Sequence, residues 1–342
     1  MTDTNAILES LTASNIFDLR GVVAVVTGGG TVRIGMMISS TLVANGATVY
    51  IIGPAQEDLD KVCATYNAAA ETVSTRGRMH GLQGDVRVKS EAKRLAEAIT
   101  SREKAITVLF NNAGIAVGQY APLPAGARAA DFVAACFDAV SQEDFTDTLN
   151  TNAVGPYWLT FAFLPLLEAW KTAEVPAAKK FAPQVIMTSS MNGWTKDPAT
   201  SGFSFPYLFS KSALGHATGS LAHELLTLGI RVNGIAPEKK TQKSQDNCDL
   251  ADVTFLLQYS NHLSLGISGL FATQMTAQSS DEHGVSTIPT SFRVPFEVPT
   301  EAGVGAPRDM GTLALFLLAN WFVNGETVLI DGGTLLKHPS SY

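Results

Sequence analysis

The sequence predicts an α/β fold in which one open, doubly wound parallel sheet carries helices on both of its faces. From residue 20 onward, apolar runs of strand length alternate with stretches that have helical periodicity. Strict alternation of this kind produces right-handed crossovers between parallel strands. The first apolar run, at 22–27, is uninterrupted and ends in glycines, which is the pattern of a parallel strand buried on both faces.

The predicted elements follow one another in a regular order. Strands are predicted at 22–27, 48–52, 79–82, 106–110, 184–188, 231–235 and 327–330. Helices are predicted at 34–45, 57–70, 90–101, 144–170, 207–228 and 309–319. Because no internal repeat or low-complexity linker interrupts this order, we expect one domain over residues 1–342, with its core at 17–335.

Three segments are longer than the connections of such a fold require. They lie at 118–140, 193–206 and 238–305. Long excursions from a compact domain are usually functional or disordered. We expect these three to form an enlarged substrate-loop region.

Composition argues against several classes of function. The formal net charge of −7 and the lack of a basic run give no support for a partner such as nucleic acid or an anionic membrane. The first twenty residues lack the apolar core of a signal peptide, and no run of about 18 apolar residues is present to span a membrane. We therefore expect a cytoplasmic protein. Its hydrophobic content of 46% is more than a soluble monomer needs, which favours a subunit interface.

Cysteine and histidine usage gives no sign of a metal site. The 3 cysteines are scattered, and the 6 histidines show no ligand spacing. We expect free thiols in a reducing compartment and no bound metal.

The segment at 25–35 is rich in glycine and joins the first strand to the first helix. Gly28, Gly30 and Gly35 would let the backbone turn tightly and approach a pyrophosphate at the helix N-terminus, beside Ile34. We therefore predict a dinucleotide site here. An acidic residue at the end of the second strand would bind the ribose 2′-hydroxyl, but none occurs before Glu57. NADP(H) is therefore favoured over NAD(H).

A second motif lies at the start of the helix predicted at 207–228. Residues 207–211 read Tyr-x-x-Ser-Lys. Tyr207 and Lys211 are four residues apart, so both side chains project from one face of the helix. A free tyrosine has a pKa of about 10. An adjacent ammonium is expected to lower this pKa toward the range in which acid–base catalysis operates.

Further short segments follow in a fixed order along the chain. They read Gly-Asp-Val, Asn-Asn-Ala-Gly, Asn-Ala-Val-Gly, Thr-Ser-Ser, Arg-Val-Asn-Gly-Ile-Ala-Pro and Asp-Gly-Gly, at 84–86, 111–114, 152–155, 188–190, 231–237 and 331–333. Together with the glycine-rich turn and the Tyr-x-x-Ser-Lys motif, they resemble the short-chain dehydrogenase/reductase family. The resemblance extends from Phe17 to Gly333 and implies a Rossmann-type fold and an NAD(P)-dependent oxidoreductase.

The resemblance implies catalytic roles for four residues. Tyr207 would be the general acid or base, and Lys211 would lower its pKa and hold the nicotinamide ribose. Ser190 would hydrogen-bond the substrate oxygen, as an oxyanion-type donor does. Asn152 would anchor a water that links Lys211 to solvent.

The resemblance also implies contacts with the cofactor. Asp85 would contact the adenine ring, next to Val86, and Asn112 would flank the dinucleotide. Thr241 is aligned with the family threonine that binds the nicotinamide carboxamide.

The chain departs from the family pattern at two places. Val32 and Arg33 stand where the family has its middle glycine. A side chain there would either crowd the diphosphate or, in the case of Arg33, pair with a 2′-phosphate. Glu238 follows Pro237 at a place where relatives usually have glycine.

These observations predict NADP(H)-dependent reduction of a ketone or oxidation of a secondary alcohol. Trp194, Phe203 and Phe205, in the inserted segment before Tyr207, favour a medium-to-large apolar small molecule as substrate. The alternative is a family member with impaired cofactor binding that carries out an isomerisation, elimination or cyclisation, or that is a non-catalytic binder. The two departures from the family pattern keep this alternative open.

The helix at 207–228 also bears on assembly. Ser212, Gly215 and Gly219 form a face of small residues that would let another helix approach closely. The resemblance implies that this helix forms a homodimer or homotetramer, and tight packing inside one subunit is the other interpretation of the same face.

Overall fold

Seven strands of the chain lie side by side in one parallel sheet. The structure is a computed structural model and describes residues 3–30, 34–238 and 305–342. The strands are β1 Val23–Thr27, β2 Thr48–Gly53, β3 Arg78–Gln83, β4 Val108–Asn111, β5 Gln184–Thr188, β6 Arg231–Pro237 and β7 Thr327–Ile330. Their order across the sheet is β3-β2-β1-β4-β5-β6-β7. The predicted doubly wound parallel sheet is confirmed, and β5 and β7 begin and end at the predicted residues.

Helices connect the strands and cover both faces of the sheet. The described helices are α1 Thr4–Ser10, α2 Ala13–Ile16, α3 Ile34–Ala44, α4 Gln56–Glu71, α5 Lys89–Thr100, α6 Ala129–Phe132, α7 Gln142–Leu149, α8 Gly155–Trp170, α9 Phe205–Glu224 and α10 Pro307–Ala319. The sequence did not predict α1, α2 and α6, which are short and bury no residue, so they lack the apolar stripe that marks a helix. Within the described ranges, no helix has the length and apolar character needed to cross a membrane.

Two apolar cores form on opposite faces of the sheet because strand residues alternate in direction. On one face, Ala24 and Val26 of β1 pack in a cluster with α3, α4 and α10. On the other face, Val23 and Val25 pack in a cluster with α5, α8 and α9. The central strand is therefore buried on both sides, as its uninterrupted apolar sequence predicts.

The strand order reverses between β1 and β4. Connections from β1 lead through α3 to β2 on one side, whereas β4 lies on the other side of β1. Loops that leave the carboxyl ends of these two strands diverge and open a crevice, where ligands of open α/β sheets bind. The topology thus predicts the position of a site at this edge.

The helix predicted at 144–170 is interrupted by a wider turn. Ser141 caps α7 by accepting a hydrogen bond from the backbone N–H of Asp144 at 3.0 Å. A π-helical turn at Asn150–Val154 then joins α7 to α8. Such turns are rare and are frequently found at functional sites.

Arg231 fixes the start of β6. Its side chain is buried and donates hydrogen bonds to the carbonyl oxygens of Asn320 at 2.8 Å and Val323 at 3.0 Å, just after α10. Cations are favoured near the free carbonyls at the end of a helix. Burial lowers the pKa of Arg231 to about 10, so the guanidinium still carries its charge at neutral pH.

Two tryptophans test how much a buried side-chain hydrogen bond contributes to the stability of the fold. The indole N–H groups of Trp170 and Trp321 donate to the carbonyl oxygens of Phe181 and Lys180, each at 2.7 Å. Trp170 is 3% exposed and Trp321 is 48% exposed. We expect Trp170→Phe to lower the free energy of unfolding by about 1–3 kcal/mol, because a buried carbonyl loses its donor.

Trp321→Phe is the control for that prediction. Water can replace its indole at the exposed carbonyl, so we expect a loss below about 1 kcal/mol. Denaturant unfolding of the two variants measures the difference. Equal losses would show that burial of the hydrogen bond does not decide its contribution.

Candidate active site

A cavity of about 1020 Å³ lies along the carboxyl edge of the sheet. Its described lining extends from Gly53 and Pro54 after β2, past Gly28, to Tyr207 and Lys211. Sites for small molecules usually measure about 300–1,000 Å³. The cavity is therefore at the upper end of that range and has room for an extended ligand.

The turn after β1 forms one wall of the cavity. Gly28 lines it with a φ of +65°, which glycine adopts without strain, and donates its N–H to the carbonyl oxygen of Ile52 at 2.7 Å. Ile34, the first residue of α3, lines the cavity as well. The structure thus brings a helix N-terminus and a left-handed glycine together, which is the arrangement that binds phosphate.

Gly30 and Gly35, two further predicted cofactor residues of this turn, are absent from the described lining of the cavity. A β-carbon on Gly30 would meet the side chain of Leu59, and one on Gly35 would meet the carbonyl oxygen of Gly28. Both glycines therefore serve close packing around the turn. Arg33, like Thr241 and nearly all of the inserted segment at 238–305, lies outside the described residues.

Asn112 ties the ends of β1 and β4 together beside the cavity. Its side-chain amide donates to the carbonyl oxygen of Thr27 at 3.0 Å, and its backbone N–H donates to the hydroxyl of Thr27 at 2.9 Å. Asn112 also lines the cavity, as the sequence predicts for a residue that flanks the cofactor. The polar bonds at this point hold the crevice open at a fixed width.

The far end of the cavity lacks a carboxylate at the end of β2 but has one after β3. Asp85 and Val86 line it there. A hydrogen bond from Arg87, at 2.8 Å, lowers the pKa of Asp85, so this carboxylate is ionised at neutral pH. Gly53 and Pro54 leave the end of β2 without a negative charge.

Tyr207 lines the opposite end of the cavity, and Ser190 lies beside it outside the described lining. Tyr207 lies in the first turn of α9, which is capped by Ser204, and Ser190 follows β5. The side chain of Ser190 is close enough to lower the pKa of the Tyr207 hydroxyl. The hydroxyl of Ser190 also donates to the carbonyl oxygen of Pro237 at 3.1 Å, so it is held between β5 and β6.

Lys211 lies one helical turn after Tyr207 and is only 3% exposed. Its Nζ donates to the carbonyl oxygen of Thr188 at 2.7 Å and lies 5.7 Å from the centre of the Tyr207 ring. Burial lowers the pKa of Lys211 to about 7. The carbonyl of Thr188, which the sequence did not single out, is thus the group that orients this amine.

The pKa of Tyr207 differs from the sequence-based expectation. Burial raises the pKa of Tyr207 to about 12, and the side chain of Ser190 acts in the opposite direction. The expected lowering by Lys211 is absent among the described interactions, because the same burial removes much of the positive charge of Lys211 at neutral pH. The prediction that the pKa of Tyr207 is lowered was therefore wrong for this structure.

Asn152 sits in the π-helical turn between α7 and α8. Its side chain accepts from the N–H of Ile115 at 2.8 Å and donates to the carbonyl oxygen of the same residue at 2.8 Å and to the hydroxyl of Ser210 at 2.9 Å. A β-carbon on Gly114 would lie 3.2 Å from Asn152 Oδ1 and 3.6 Å from Lys211 Nζ. The glycine therefore allows Asn152 and Lys211 to approach each other.

Residues 339–342 contact the inserted segment at 193–206, which precedes Tyr207. The backbone N–H of Lys196 donates to the carbonyl oxygen of Pro339 at 2.7 Å, and the ring of Trp194 lies 4.9 Å from the ring of Tyr342. No sequence pattern links these two distant segments, so the contact could not be predicted.

The aromatic residues of that segment pack elsewhere than predicted. Phe205 stacks on Tyr120 at 5.4 Å, and Phe203 contacts the same ring at 5.6 Å. Phe205 also lines a separate cavity of about 240 Å³. Neither they nor Trp194 belong to the described lining of the large cavity. Within the described lining, the expectation that Trp194, Phe203 and Phe205 line the substrate pocket is therefore not met.

Metal-ligating side chains are dispersed in the part of the chain that the structure describes. No group of three or more His, Cys, Asp or Glu residues there could hold a metal ion. Cys63 and Cys136 are free thiols, and burial raises the pKa of Cys63 to about 11.

The described residues fit a dinucleotide. Gly28 and the first residue of α3 would hold a diphosphate, and the side chain of Asp85 lines the cavity where an adenosine would lie. The buried Lys211 and Tyr207 lie at the other end of the same cavity. A dinucleotide bound there would place its reactive ring beside the hydroxyl of Tyr207.

The chain is similar to known proteins in its sequence and in its fold. Residues 22–246 match the family model of the short chain dehydrogenases. The short-chain dehydrogenase/reductase VdtF of Byssochlamys spectabilis is 30% identical over 98% of this chain and 99% of its own length. PhomF of Diaporthe leptostromiformis is 30% identical over 99% of this chain and 100% of its own length.

A solved structure adds support for the fold. The RhlG/NADP active-site complex of Pseudomonas aeruginosa superimposes with a TM-score of 0.61 at 23% identity and covers 93% of this chain and 98% of its own. Sheet, helices and family model agree over most of the described residues. The chain therefore belongs to the short-chain dehydrogenase family, whose members are NAD(P)-dependent oxidoreductases acting on alcohols and ketones.

Proposed function

We propose that this protein catalyses NADP(H)-dependent reduction of a ketone, or oxidation of the corresponding secondary alcohol. The observation that carries the proposal is the grouping of Tyr207, Ser190 and the buried amine of Lys211 at the inner end of the cavity. A hydroxyl pair of this kind can bind one carbonyl oxygen from two sides. No finding favours the redox-neutral alternative or a non-catalytic binder.

Each residue of the site has a role in this reaction. A bound reduced nicotinamide supplies the hydride to the carbonyl carbon. Tyr207 donates its proton to the carbonyl oxygen, and its raised pKa keeps it protonated at neutral pH, as a general acid must be. The hydroxyl of Ser190 leaves the carbonyl of Pro237 and donates its hydrogen bond to the substrate oxygen as negative charge develops there. Lys211, with a pKa of about 7, exchanges protons with solvent and can return one to the phenolate left behind.

Asn152 supports the proton exchange of Lys211. Its side chain is held on three sides by Ile115 and Ser210 within the π-helical turn. A rigid position of this kind lets Asn152 anchor a water near Lys211, and that water links the amine to solvent.

The preference for NADP(H) over NAD(H) is supported by the end of β2. Gly53 and Pro54 line the cavity where an acidic residue would bind a ribose 2′-hydroxyl and repel a 2′-phosphate. The structurally similar RhlG was solved as a complex with NADP. The substrate we propose is a medium-to-large apolar carbonyl compound.

We also propose that the protein is cytoplasmic. A reducing compartment is consistent with the free thiols of Cys63 and Cys136.

The outer face of α9 supports a homodimer or homotetramer. Ser212 and Gly219 are exposed, and nothing lies within 4 Å of a β-carbon placed on Gly219. Tight packing inside the subunit therefore does not explain this small residue. The exposed rings of Tyr157 and Phe161 on the neighbouring helix α8 give the same side of the subunit an apolar character.

Replacement of the proposed acid tests the reaction. We expect Tyr207→Phe to lower turnover of apolar ketones, followed by NADPH oxidation, by about 10²–10⁴-fold, because the carbonyl oxygen loses its proton donor. NADPH binding, measured by fluorescence, is expected to persist. Tyr50→Phe is the matched control, since its hydroxyl bonds Glu103 outside the cavity. Unchanged turnover in Tyr207→Phe would refute the role of Tyr207 and leave the fold assignment intact.

A substitution at the end of β2 tests the proposed preference for NADP(H) over NAD(H). We expect Gly53→Asp to weaken NADPH binding about tenfold or more through repulsion of the 2′-phosphate, with NADH binding unchanged or tighter. Gly53→Ala controls for volume, since a β-carbon there would lie 3.2 Å from the flexible end of Leu59. Titration of both dinucleotides measures the effect. If NADPH binds equally to both variants, the 2′-phosphate lies elsewhere.

A substitution on the outer face of α9 tests whether the protein forms a homo-oligomer through this face. Gly219→Arg has open space within the subunit, so we expect thermal stability of the fold to persist while the mass from light scattering falls toward that of one chain. Ala64→Arg, on the exposed side of α4, is the control and should leave the mass unchanged. An unchanged mass for Gly219→Arg would place the interface on another surface.

A further inference from the structure

Glu238 is a buried acidic residue that none of the proposed roles uses. It directly follows β6, is 3% exposed and lines the large cavity. Neither oxygen of its carboxyl group makes a hydrogen bond of ordinary length with the described residues, although the side chain of Thr334 is near enough to affect its pKa. Native proteins rarely bury such a group without a partner, and an exception asks for an explanation such as a ligand.

The surroundings of Glu238 keep its carboxyl group neutral. Burial raises the pKa of Glu238 to about 9, an interaction with the side chain of Thr334 lowers it, and the charge of Asp331 raises it. The other titratable groups on the cavity near this end are Tyr207 and Lys211, and Lys211 is only partly charged at neutral pH. A neutral carboxyl group offers one O–H donor and one carbonyl acceptor in one plane.

Glu238 lines the same cavity as Tyr207 and directly follows a residue that binds Ser190. The carbonyl of Pro237, one peptide bond away, accepts the hydrogen bond of Ser190 at 3.1 Å, and Ser190 lowers the pKa of Tyr207. A nicotinamide ring that delivers hydride here carries its carboxamide on the carbon next to the hydride donor. A primary carboxamide has an N–H donor and a carbonyl acceptor, which match a neutral carboxyl group with two parallel hydrogen bonds.

We propose that the carboxyl group of Glu238 binds the carboxamide of the nicotinamide ring by two parallel hydrogen bonds and so fixes the plane of that ring against Ser190 and Tyr207. The proposal rests on the proposed function, since it requires a dinucleotide in the cavity. It makes Glu238 a cofactor-binding residue of this chain, at a position where the family pattern has a glycine with no side chain to offer.

Two variants and two ligands test the proposal by binding alone. Glu238→Ala removes both hydrogen bonds, whereas Glu238→Gln keeps a planar donor and acceptor. The ligands are NADPH and adenosine 2′,5′-bisphosphate, which lacks the nicotinamide. In calorimetric titrations we expect Glu238→Ala to bind NADPH about tenfold or more weakly, because two hydrogen bonds are lost. Glu238→Gln is expected to stay within about threefold of the wild type. All three proteins are expected to bind the bisphosphate equally.

A cofactor analogue locates the contact on the carboxamide. The acetylpyridine analogue of NADPH has a methyl ketone in place of the carboxamide and therefore lacks its N–H donor. We expect the wild type to bind this analogue more weakly than NADPH, and Glu238→Ala to bind the two alike. Such non-additivity in a double-mutant cycle is the signature of direct contact.

The outcomes separate the two proposals. A wild type that binds neither NADPH nor NADH overturns the proposed function and this inference together. Wild-type binding with equal NADPH affinity in Glu238→Ala overturns this inference alone, as does an equal loss for the bisphosphate, which would reflect a change of fold. Should Glu238→Ala not fold, Glu238→Leu removes the same hydrogen bonds at similar volume and decides the question in its place.

Discussion

The burial of Lys211 is the constraint on which the rest of the site depends. An amine that is 3% exposed must have a strong acceptor, and the carbonyl of Thr188 supplies it at 2.7 Å. This pairing requires α9 to lie across the carboxyl end of β5, with Tyr207 one turn earlier on the same face. The cost of burying the amine appears as its lowered pKa, which brings its titration into the physiological range. The packing of α9 against β5 thus positions Tyr207 and also determines the pKa of Lys211.

The sheet makes that packing possible because its parallel strands all end at one edge. The reversal of strand order at β1 and β4 opens a crevice there, and the polar bonds between Asn112 and Thr27 keep its two sides at a fixed separation. Ligand-binding groups therefore gather from strands that are distant in the sequence. The pyrophosphate end is built by β1 and α3, and the proton-transfer end by β5, β6 and α9. A dinucleotide is the kind of ligand that spans both.

Most of the fold could be predicted, and the residues proposed to react could be singled out, because their signals are local. Uninterrupted apolar runs gave β5 and β7 their bounds, and the four-residue spacing of Tyr207 and Lys211 placed both on one helix face. The π-helical turn at Asn150–Val154 could not be predicted, because a segment of 5 residues is too short to show a periodicity of its own. The direction of the pKa shift at Tyr207 was predicted wrongly for a related reason. Desolvation depends on what covers a side chain in three dimensions, and the sequence shows only its neighbours in the chain.

The departures from the family pattern all concern the cofactor, whereas the proton-transfer residues are intact. Val32 and Arg33 alter the sequence of the diphosphate turn, and Glu238 adds a side chain near the nicotinamide end. Free energies of contact along an extended ligand combine, so a new pair of hydrogen bonds at one end can offset a weaker contact at the other. The two ends are not equivalent, however. A contact with the diphosphate contributes affinity only, whereas a contact with the carboxamide also fixes the ring from which hydride leaves, and orientation of the reacting atoms contributes directly to rate. Glu238 therefore shifts binding free energy toward the part of the cofactor where it serves the reaction.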